Sequence, residues 1–370
     1  MAKNTLLTID GIHRKVKEKF ITVDSIYHKI KKAYISAGGV WRPCFSTVPI
    51  DYYGKISPLS LGRSEIKSTF VDDYVLFAGG DSSNVKSSVI DVYDGSLTKR
   101  NNEYLSRGKT GMGTVNFAGY AMFAGGFTGN ETLDEIDMYD ENLTKSNFIS
   151  LGFRRLHPGA SVVGEHVIFG AGFNYYSNYN GELNGYMTNY VDAFDEDFAR
   201  KDVSLFTKSC ALSAGVSFAD SVMFGGRRPP DVLDYQIYDR DLTHRTIPGD
   251  MNEVAFAVGV NGEYALYVSR QGDRIVGYDK DSHKVLDRTF DTKVFYHSAG
   301  TSLGKYALIS GAGRRTVWCF DENLNLSKLE NLSEGRYGLS AATLNNKAFF
   351  AGGVPYSTNT LIDVYNLNEI

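Results

Sequence analysis

One repeated pattern limits what this chain can fold into. An apolar strand ends in a glycine pair, and an Asp-x-Tyr-Asp stretch follows shortly after it. The best copies join residues 74–80 to 91–94, 121–126 to 137–140, and 348–353 to 363–366. Weaker copies begin near residues 169, 224, 267 and 309. The seven units have a period of roughly 40–55 residues, which is typical of propeller blades.

Each unit predicts four short strands. In the first unit we assign residues 68–70 to the inner strand, 74–79 to the second, 89–94 to the third and 97–105 to the outer strand. An aromatic residue recurs at one position of every third strand, where we expect it to pack between stacked blades. These residues are Tyr93, Tyr139, Phe194, Tyr238, Tyr278, Phe320 and Tyr365.

The two ends of the repeat region predict how the ring closes. The final unit stops at Ile370 without an outer strand, whereas residues 55–62 resemble the outer strand at 148–152. We therefore expect residues 50–61 to pair with the last blade, which removes both exposed edges. The predicted fold is all-β, a seven-bladed propeller over residues 47–370.

Residues 1–46 have a repeat of their own, in which 11–24 aligns with 25–38. Lysines alternate with apolar residues, which predicts half-exposed strands in a small β-meander. Seven Lys and two Arg outnumber two Asp and one Glu, for a net charge of +6. A meander of this size buries too little surface to be stable alone. We predict an attachment or oligomerisation module, with Lys15, Lys17, Lys29, Lys31 and Trp41 as its contact residues.

Composition excludes several classes of protein. Cys44, Cys210 and Cys319 are too few and too far apart for a disulfide framework or a thiolate metal site, so we expect synthesis in a reducing cytoplasm,. No apolar stretch is long enough for a membrane span, and the N-terminus lacks a signal peptide. The basic first segment has no nucleic-acid recognition motif. We expect neither a cofactor nor a nucleic-acid partner.

Catalytic motifs are sparse. Gly300-Thr301-Ser302-Leu303-Gly304 matches G-x-S-x-G, but it falls on a predicted inner strand and not on the strand-to-helix turn that a nucleophile elbow needs,. The seven histidines show no metal-ligand spacing,. We therefore predict that the protein is not an enzyme.

One face of the propeller is the predicted binding face. In a four-stranded blade, the loop from second to third strand and the loop to the next blade emerge on the same side. One set of arginines there can be interpreted either as structural groups pairing near the channel or as ligand groups: Arg63, Arg107, Arg154, Arg155 and Arg336. A second set includes two adjacent pairs, which suit phosphate or carboxylate: Arg227, Arg228, Arg270, Arg314 and Arg315,.

The third unit carries an insertion at residues 173–190 that is rich in Tyr, Asn and Gly. We predict a loop on the binding face, where tyrosine rings stack on sugars and amides bond to them. An ordinary solvated loop is the alternative. The predicted ligand-binding residues are Arg227, Arg228, Arg314, Arg315, Tyr175, Tyr176, Tyr179, Asn180 and Tyr356.

The glycine pair, the Asp-x-Tyr-Asp stretch and an arginine before the inner strand resemble the kelch family of β-propellers. Where kelch units carry a Trp, Leu97-Thr98-Lys99 stands here, which implies a divergent branch. Residues 31–43 resemble the N-terminal modules of tail proteins from phages and prophages of Gram-positive bacteria. These resemblances imply a virion tail or phage-tail-like particle, with residues 1–46 bound to other tail or baseplate proteins.

The hypothesis that joins these observations is a tail or baseplate protein whose propeller recognises a host cell-wall saccharide, an anionic glycan in particular. Many copies on one particle would raise the avidity, so we expect a homo-oligomer, of which a trimer is one form. The alternative is a purely structural baseplate protein that binds other particle proteins. A second alternative is a carbohydrate-active enzyme.

Overall fold

The computed structural model describes residues 48–177, 183–211, 213–226, 231–251, 253–354 and 359–368. It also describes the backbone of six strands before residue 48, and it describes no side chain before residue 48 or at residues 177, 183 and 213. The chain divides into two compact units, residues 1–50 with 369–370 and residues 51–368. Every regular element among the described residues is a β-strand.

The first unit contains three antiparallel hairpins. Strand β1 (Leu6–Ile9) pairs with β2 (Ile12–Lys15), β3 (Phe20–Val23) with β4 (Ile26–Lys29), and β5 (Lys32–Ala37) with β6 (Val40–Ser46). In the described pairings each hairpin is its own two-stranded sheet, so the predicted meander takes the form of three separate hairpins. Lys15, Lys29 and Trp41 fall on these strands, whereas Lys17 and Lys31 lie outside the described residues.

Seven four-stranded antiparallel sheets form the second unit, which confirms the predicted propeller. After β7 (Ile50–Lys55), blade one has β8 (Lys67–Val71), β9 (Tyr74–Ala78), a small hairpin of β10 (Asp81–Ser82) and β11 (Val85–Lys86), β12 (Val89–Asp94) and β13 (Glu103–Tyr104). Blade two has β14 (Gly113–Phe117), β15 (Tyr120–Ala124), β16 (Ile136–Tyr139) and β17 (Lys145–Ser146). Blade three has β18 (Gly159–Val163), β19 (His166–Ser177), β20 (Leu183–Asp195) and β21 (Arg200–Lys201).

The remaining blades repeat the same order. Blade four has β22 (Ser213–Phe218), β23 (Ser221–Gly226), β24 (Tyr235–Asp239) and β25 (His244–Ile247). Blade five has β26 (Val254–Val260), β27 (Tyr264–Ser269), β28 (Arg274–Asp279) and β29 (Lys284–Thr289). Blade six has β30 (Ala299–Leu303), β31 (Tyr306–Ser310), β32 (Val317–Phe320) and β33 (Leu326–Lys328). Blade seven has β34 (Ser340–Leu344), β35 (Lys347–Ala351) and β36 (Ile362–Leu367).

The missing outer strand of blade seven comes from the front of the chain, as predicted. Strand β7 lies beside β36 in the order β34-β35-β36-β7. Beyond the strand, Ile56 N–H donates to the Ile362 carbonyl at 3.2 Å and Leu59 N–H to the Thr360 carbonyl at 2.9 Å. Joining both ends of the repeat region in one sheet leaves the ring without a free edge.

The Asp-x-Tyr-Asp stretch forms the junction between neighbouring blades. In four blades its first aspartate is buried and pairs with a buried cation that precedes the inner strand of the same blade. The pairs are Arg63–Asp91, Lys109–Asp137, Arg155–Asp192 and Arg336–Asp363. Each aspartate also accepts a backbone N–H from the end of the preceding blade, from Ser60, Ser106, Gly152 and Ser333 respectively. One carboxylate therefore ties two blades together.

The tyrosine of the motif makes a second contact between blades. Its hydroxyl donates to a carbonyl on the outer strand or loop of the preceding blade, at 2.9 Å from Tyr93 to Pro58 and at 2.7 Å from Tyr365 to Glu330. Because Pro58 belongs to the closing segment, the junction between the last and first blades is built like the others. The aromatic rings lie in the cores between blades, as predicted.

The glycine pair is needed for close approach. Gly79 has φ of 64°, and a Cβ there would lie 2.4 Å from the carbonyl oxygen of Lys109 in the next blade. The following residue, Gly80, donates its N–H to that same carbonyl at 3.0 Å. Any side chain would therefore force the blades apart, which explains why the glycines follow the second strand.

The second aspartate of the motif caps the turn to the outer strand. Asp94 Oδ1 accepts the N–H groups of Ser96 and Thr98, at 3.0 and 2.9 Å. This holds Leu97 at φ of 67°, and five later blades repeat a positive φ at the same place. The stretch where kelch units carry a Trp is thus a tight turn, and the predicted outer strand from residue 97 shortens to Glu103–Tyr104.

In the described part of blades four to six, no buried ion pair stands at this junction. Gln236 replaces the aspartate in blade four and accepts the Thr207 N–H at 3.0 Å. Val276 and Trp318 stand at that position in blades five and six. Blade five also lacks the glycine pair, yet it is a regular four-stranded sheet. No helix among the described residues is long and apolar enough to cross a membrane.

Candidate binding face

Strand order defines the two faces of the propeller. Successive strands of a blade are antiparallel, so the loops from second to third strand and from one blade to the next emerge on one face,. We call this the loop face. It carries the predicted arginine positions and the insertion of blade three.

Three of the predicted arginines do not reach the surface of the loop face. Arg63, Arg155 and Arg336 are fully buried in the junction ion pairs. Arg63 also donates to the Gly79 carbonyl at 2.9 Å, and Arg336 to the Leu361 carbonyl at 2.7 Å. These guanidinium groups are structural, in agreement with the first of the two interpretations of this set.

Arg107 is not the structural cation of blade two. That position belongs to Lys109, which is fully buried and has its Nζ 2.8 Å from Asp137 Oδ2. Arg107 is exposed instead, and pairs with Glu131 at 3.0 Å and Glu135 at 2.8 Å. Arg154 shares Glu131 at 3.0 Å. Surface carboxylates therefore already neutralise both exposed arginines.

The second arginine set is only partly described. Arg227, Arg228 and Tyr356 lie outside the described residues. Arg270 faces Glu253 at 3.6 Å. Arg315 donates to the Leu332 carbonyl at 2.7 Å. In the described part of the chain, Arg314 is exposed and its side chain has no carboxylate partner.

The insertion of blade three is a hairpin and not the predicted loop. Strands β19 and β20 pair continuously beyond the blade, from Gly172 opposite Thr188 to Ser177 opposite Leu183. A register shift between Gly170 and Gly172 separates the blade from this extension. Tyr179 and Asn180, at its tip, lie outside the described residues. The polar residues of the insertion alternate between two faces of a ribbon, which hid their strand character.

One face of the hairpin extension fixes it to blade two. The Tyr175 ring packs 4.5 Å from Phe173 and 5.2 Å from Phe127. Thr132 Oγ1 donates to the Tyr175 carbonyl at 3.0 Å and accepts the Tyr175 N–H at 3.2 Å. Tyr175, predicted to bind ligand, is therefore a packing contact in this structure.

The other side presents aromatic rings to solvent. Tyr176, Tyr186 and Tyr190 are each nearly half exposed, and Phe153 from the preceding loop joins them. Phe153 stacks on Tyr190 with ring centroids 5.0 Å apart and planes 7° apart. Tyr186 lies 6.0 Å from Phe153 and 6.2 Å from Tyr176. We call these four residues the aromatic platform.

The central channel has a different character. A cavity of about 410 Å³ lies between the inner strands, and its described lining carries no charged side chain. Ser302 lies on β30, where its Oγ donates to the Gly259 carbonyl at 2.8 Å. Two further hydroxyl pairs bridge inner strands of neighbouring blades, Ser161 with Ser217 and Thr301 with Thr343. Ser302 thus belongs to the inner-strand hydrogen bonds of the ring.

One group in the described part of the chain has metal-ligand composition. Asp279, Asp281 and His283 place their ligand atoms within 4.8 Å of one another in the outer turn of blade five. Asp279 Oδ1 accepts the N–H groups of the other two residues at 3.0 and 2.9 Å. Four other blades share this turn cap, through Asp94, Asp140, Asp195 and Asp321. The cluster is therefore accounted for as a structural turn.

Sequence reasoning missed three residues of this face. Phe153 is not among the predicted residues, because its stacking on Tyr190 joins a loop to a strand far along the chain. Tyr186 and Tyr190 lie within the predicted insertion, but their exposure depends on the hairpin register. Its position offers one indication in the sequence that Phe153 lies on the loop face, because it directly precedes Arg154 and Arg155 in the loop before blade three.

Comparison with known proteins supports the fold. No family model matches the chain, and no curated protein matches it. Among solved structures, the chain is similar to a streptogramin B lyase, with a TM-score of 0.59 and 13% sequence identity over 86% of this chain and 97% of that one. At this identity the similarity shows the fold alone. The chain is a β-propeller.

Proposed function

We propose that this chain is a tail or baseplate protein of a phage or phage-tail-like particle, and that its propeller binds a saccharide on the host surface. The observation that carries the binding step is the aromatic platform. Three half-exposed tyrosines and a stacked phenylalanine lie on one side of a hairpin that extends past its blade. Exposed aromatic rings suit the apolar faces of sugar rings.

The arginines contribute less to this proposal than the sequence suggested. The described arginines of the loop face are buried, paired or bonded to a carbonyl, apart from Arg314. We therefore assign the saccharide contact to stacking and hydrogen bonding at the platform. Arg314 and Arg315 remain candidates for an acidic substituent of the same polymer. Attachment through residues 1–46 follows from their basic charge and from the resemblance to tail modules.

Co-sedimentation of the full chain with a panel of Gram-positive cell walls tests the proposal. We expect saturable binding, and about fivefold weaker binding for Tyr186→Ala or Tyr190→Ala, because an aromatic contact contributes about 1 kcal/mol. Tyr104→Ala is the matched control, since this tyrosine is 56% exposed but lies on the outer strand of blade one. Its binding should equal that of the unmodified chain.

Three outcomes would count against the proposal. Equal binding by the platform variants and the unmodified chain would remove the platform from recognition. Binding to tail proteins without binding to any wall would favour the alternative of a structural baseplate protein. Release of glycan fragments from the walls would instead favour a carbohydrate-active enzyme.

A further inference from the structure

The mouth of the central channel on the loop face is encircled by strained backbone. The residue that leads into the inner strand has a positive φ in five blades: Glu65 (52°), Gly111 (65°), His157 (54°), His297 (48°) and Gly338 (60°). Three of these positions use glutamate or histidine where glycine would be unstrained. Non-glycine residues in this conformation cost free energy and concentrate at functional sites.

Hydrogen bonds between blades hold this ring in place. Glu65 N–H donates to the Gly338 carbonyl at 3.0 Å, and Gly338 N–H donates to the His297 carbonyl at 3.0 Å. On the other side, His157 N–H donates to the Gly111 carbonyl at 2.7 Å. The backbone at the mouth is therefore fixed, and the side chains of Glu65, His157 and His297 start from defined positions around it.

Lys67 brings a positive charge to this mouth. It is the first residue of β8, two positions after Glu65, and it is partly buried. Within the described residues its ammonium group has no hydrogen bond and no ion pair, unlike Lys109, which pairs with Asp137 at 2.8 Å. Burial lowers the pKa of Lys67, although the charge of Glu65 acts in the opposite direction. Burying an ammonium group that has no ion pair is costly, and the charge of Glu65 offsets only part of that cost,.

His157 belongs to the same ring of positive-φ residues as Gly111, and the charge of Lys67 acts on it. A Cβ at Gly111 would lie 2.9 Å from His157 Cε1 and 3.1 Å from Nδ1, so glycine at 111 leaves the space that the imidazole occupies. Burial, and then the charge of Lys67, lower the pKa of His157 to about 3. The imidazole is therefore neutral near pH 7, and it offers one N–H donor and one acceptor.

We propose that this mouth is a binding site for a carboxylate or phosphate group, with Lys67 as its counter-charge and His157 as a hydrogen-bond donor. The uncharged remainder of the ligand would enter the channel, whose volume of about 410 Å³ lies in the range of small-molecule sites,. The proposal does not depend on the aromatic platform, which lies on the hairpin of blade three.

Isothermal titration calorimetry on the full chain tests the site, with glucuronate, inorganic phosphate and uncharged glucose as probes. We expect one of the two anions to bind at least tenfold more tightly than glucose, and the preferred anion identifies the group. Lys67→Gln should weaken that binding at least tenfold, whereas Lys67→Arg should retain most of it. Lys208→Gln is the matched control, because this exposed lysine lies in a loop of the same face.

The proposal of an anion site is wrong if neither anion binds more tightly than glucose. It also fails if Lys67→Gln and Lys208→Gln bind the anion equally well. Should Lys67→Gln unfold, Lys67→Met and His157→Leu supply the same comparison, and unchanged anion binding in either folded variant overturns the proposal. Tyr186→Ala should leave anion binding unchanged, so failure here is distinct from failure of saccharide binding at the platform.

Discussion

The junction carboxylates make a quantitative prediction about how the ring is held closed. Asp91 lies between the first and last blades, where it pairs with fully buried Arg63 and accepts the Ser60 N–H at 2.7 Å. Lys99 also lies 2.9 Å from Asp91. Replacing Asp91 with alanine leaves the guanidinium buried without a counter-charge and the Ser60 N–H without an acceptor.

The magnitude follows from these losses. Removing one partner of a buried ion pair costs about 3–5 kcal/mol, and leaving a buried N–H unpaired costs about 1 kcal/mol or more. We therefore expect Asp91→Ala to lower the free energy of unfolding by about 4–6 kcal/mol, which is a large share of the total for a typical folded protein. Lys99 is only partly buried, so solvent screens its pairing with Asp91 more than it screens the pairing of Arg63,.

The chain contains its own control. Gln236 takes the place of the aspartate in blade four and likewise accepts a backbone N–H, from Thr207 at 3.0 Å. Gln236→Ala breaks hydrogen bonds of this junction without stranding a charge, so we expect a loss of about 1–3 kcal/mol. Urea denaturation of both full-length variants measures the difference. If Asp91→Ala destabilises the protein no more than Gln236→Ala does, the buried charges do not account for the strength of the junction.

Three further predictions concern the glycine pair and the response to pH. Gly125→Ala should lower the free energy of unfolding by at least roughly twice as much as Gly119→Ala does. Both residues have a positive φ, but a Cβ at Gly125 would lie 2.4 Å from a carbonyl oxygen of the next blade, whereas no atom lies within 4 Å of a Cβ at Gly119. Burial opposes the charged form of Asp137, but Lys109 and its hydrogen bonds lower its pKa overall. The ionised Asp137 carboxylate therefore stabilises the fold above the unfolded pKa of about 4, and this stabilisation is lost as the pH falls through the folded pKa. In urea denaturation at a series of pH values, Asp137→Asn should reduce this loss of stability at acid pH. For His157, whose pKa falls from 6.5 to about 3, the unfolded chain binds more protons between those values, so stability should rise with pH across that window and His157→Asn should remove the rise,.

The fold could be predicted because the repeat occurs seven times, so that a strand which is unclear in one copy can be assigned from the others. Residues 89–94 were assigned to the third strand of the first unit, and the structure has Val89–Asp94. The closing strand followed from a count of strands at the two ends. The outer strands were overestimated, because the capped turn at Leu97 uses a positive φ that no residue type announces.

The cation of blade two shows where a family pattern misleads. Arg107 was chosen because it is an arginine, whereas Lys109 occupies the position. The spacing along the chain identifies Lys109, because Arg63 and Asp91 are 28 residues apart and Lys109 and Asp137 are also 28 residues apart. Lys109 pairs with the carboxylate of Asp137 but makes none of the carbonyl contacts that Arg63 makes. The residue type alone could not show this difference.

Binding residues were harder to predict, for a physical reason that applies to repeat proteins in general. The residues that every blade shares are occupied in holding blades together: the glycine pair touches a carbonyl, the aspartate holds a cation and the tyrosine reaches the preceding blade. What remains for a ligand lies where one blade departs from the others. His157 replaces the glycine that blades two and seven have, and the extended hairpin occurs in blade three. Such departures carry no repeated signal, and a sequence pattern cannot show that Lys67 of blade one and His157 of blade three lead into inner strands at the same mouth of the ring.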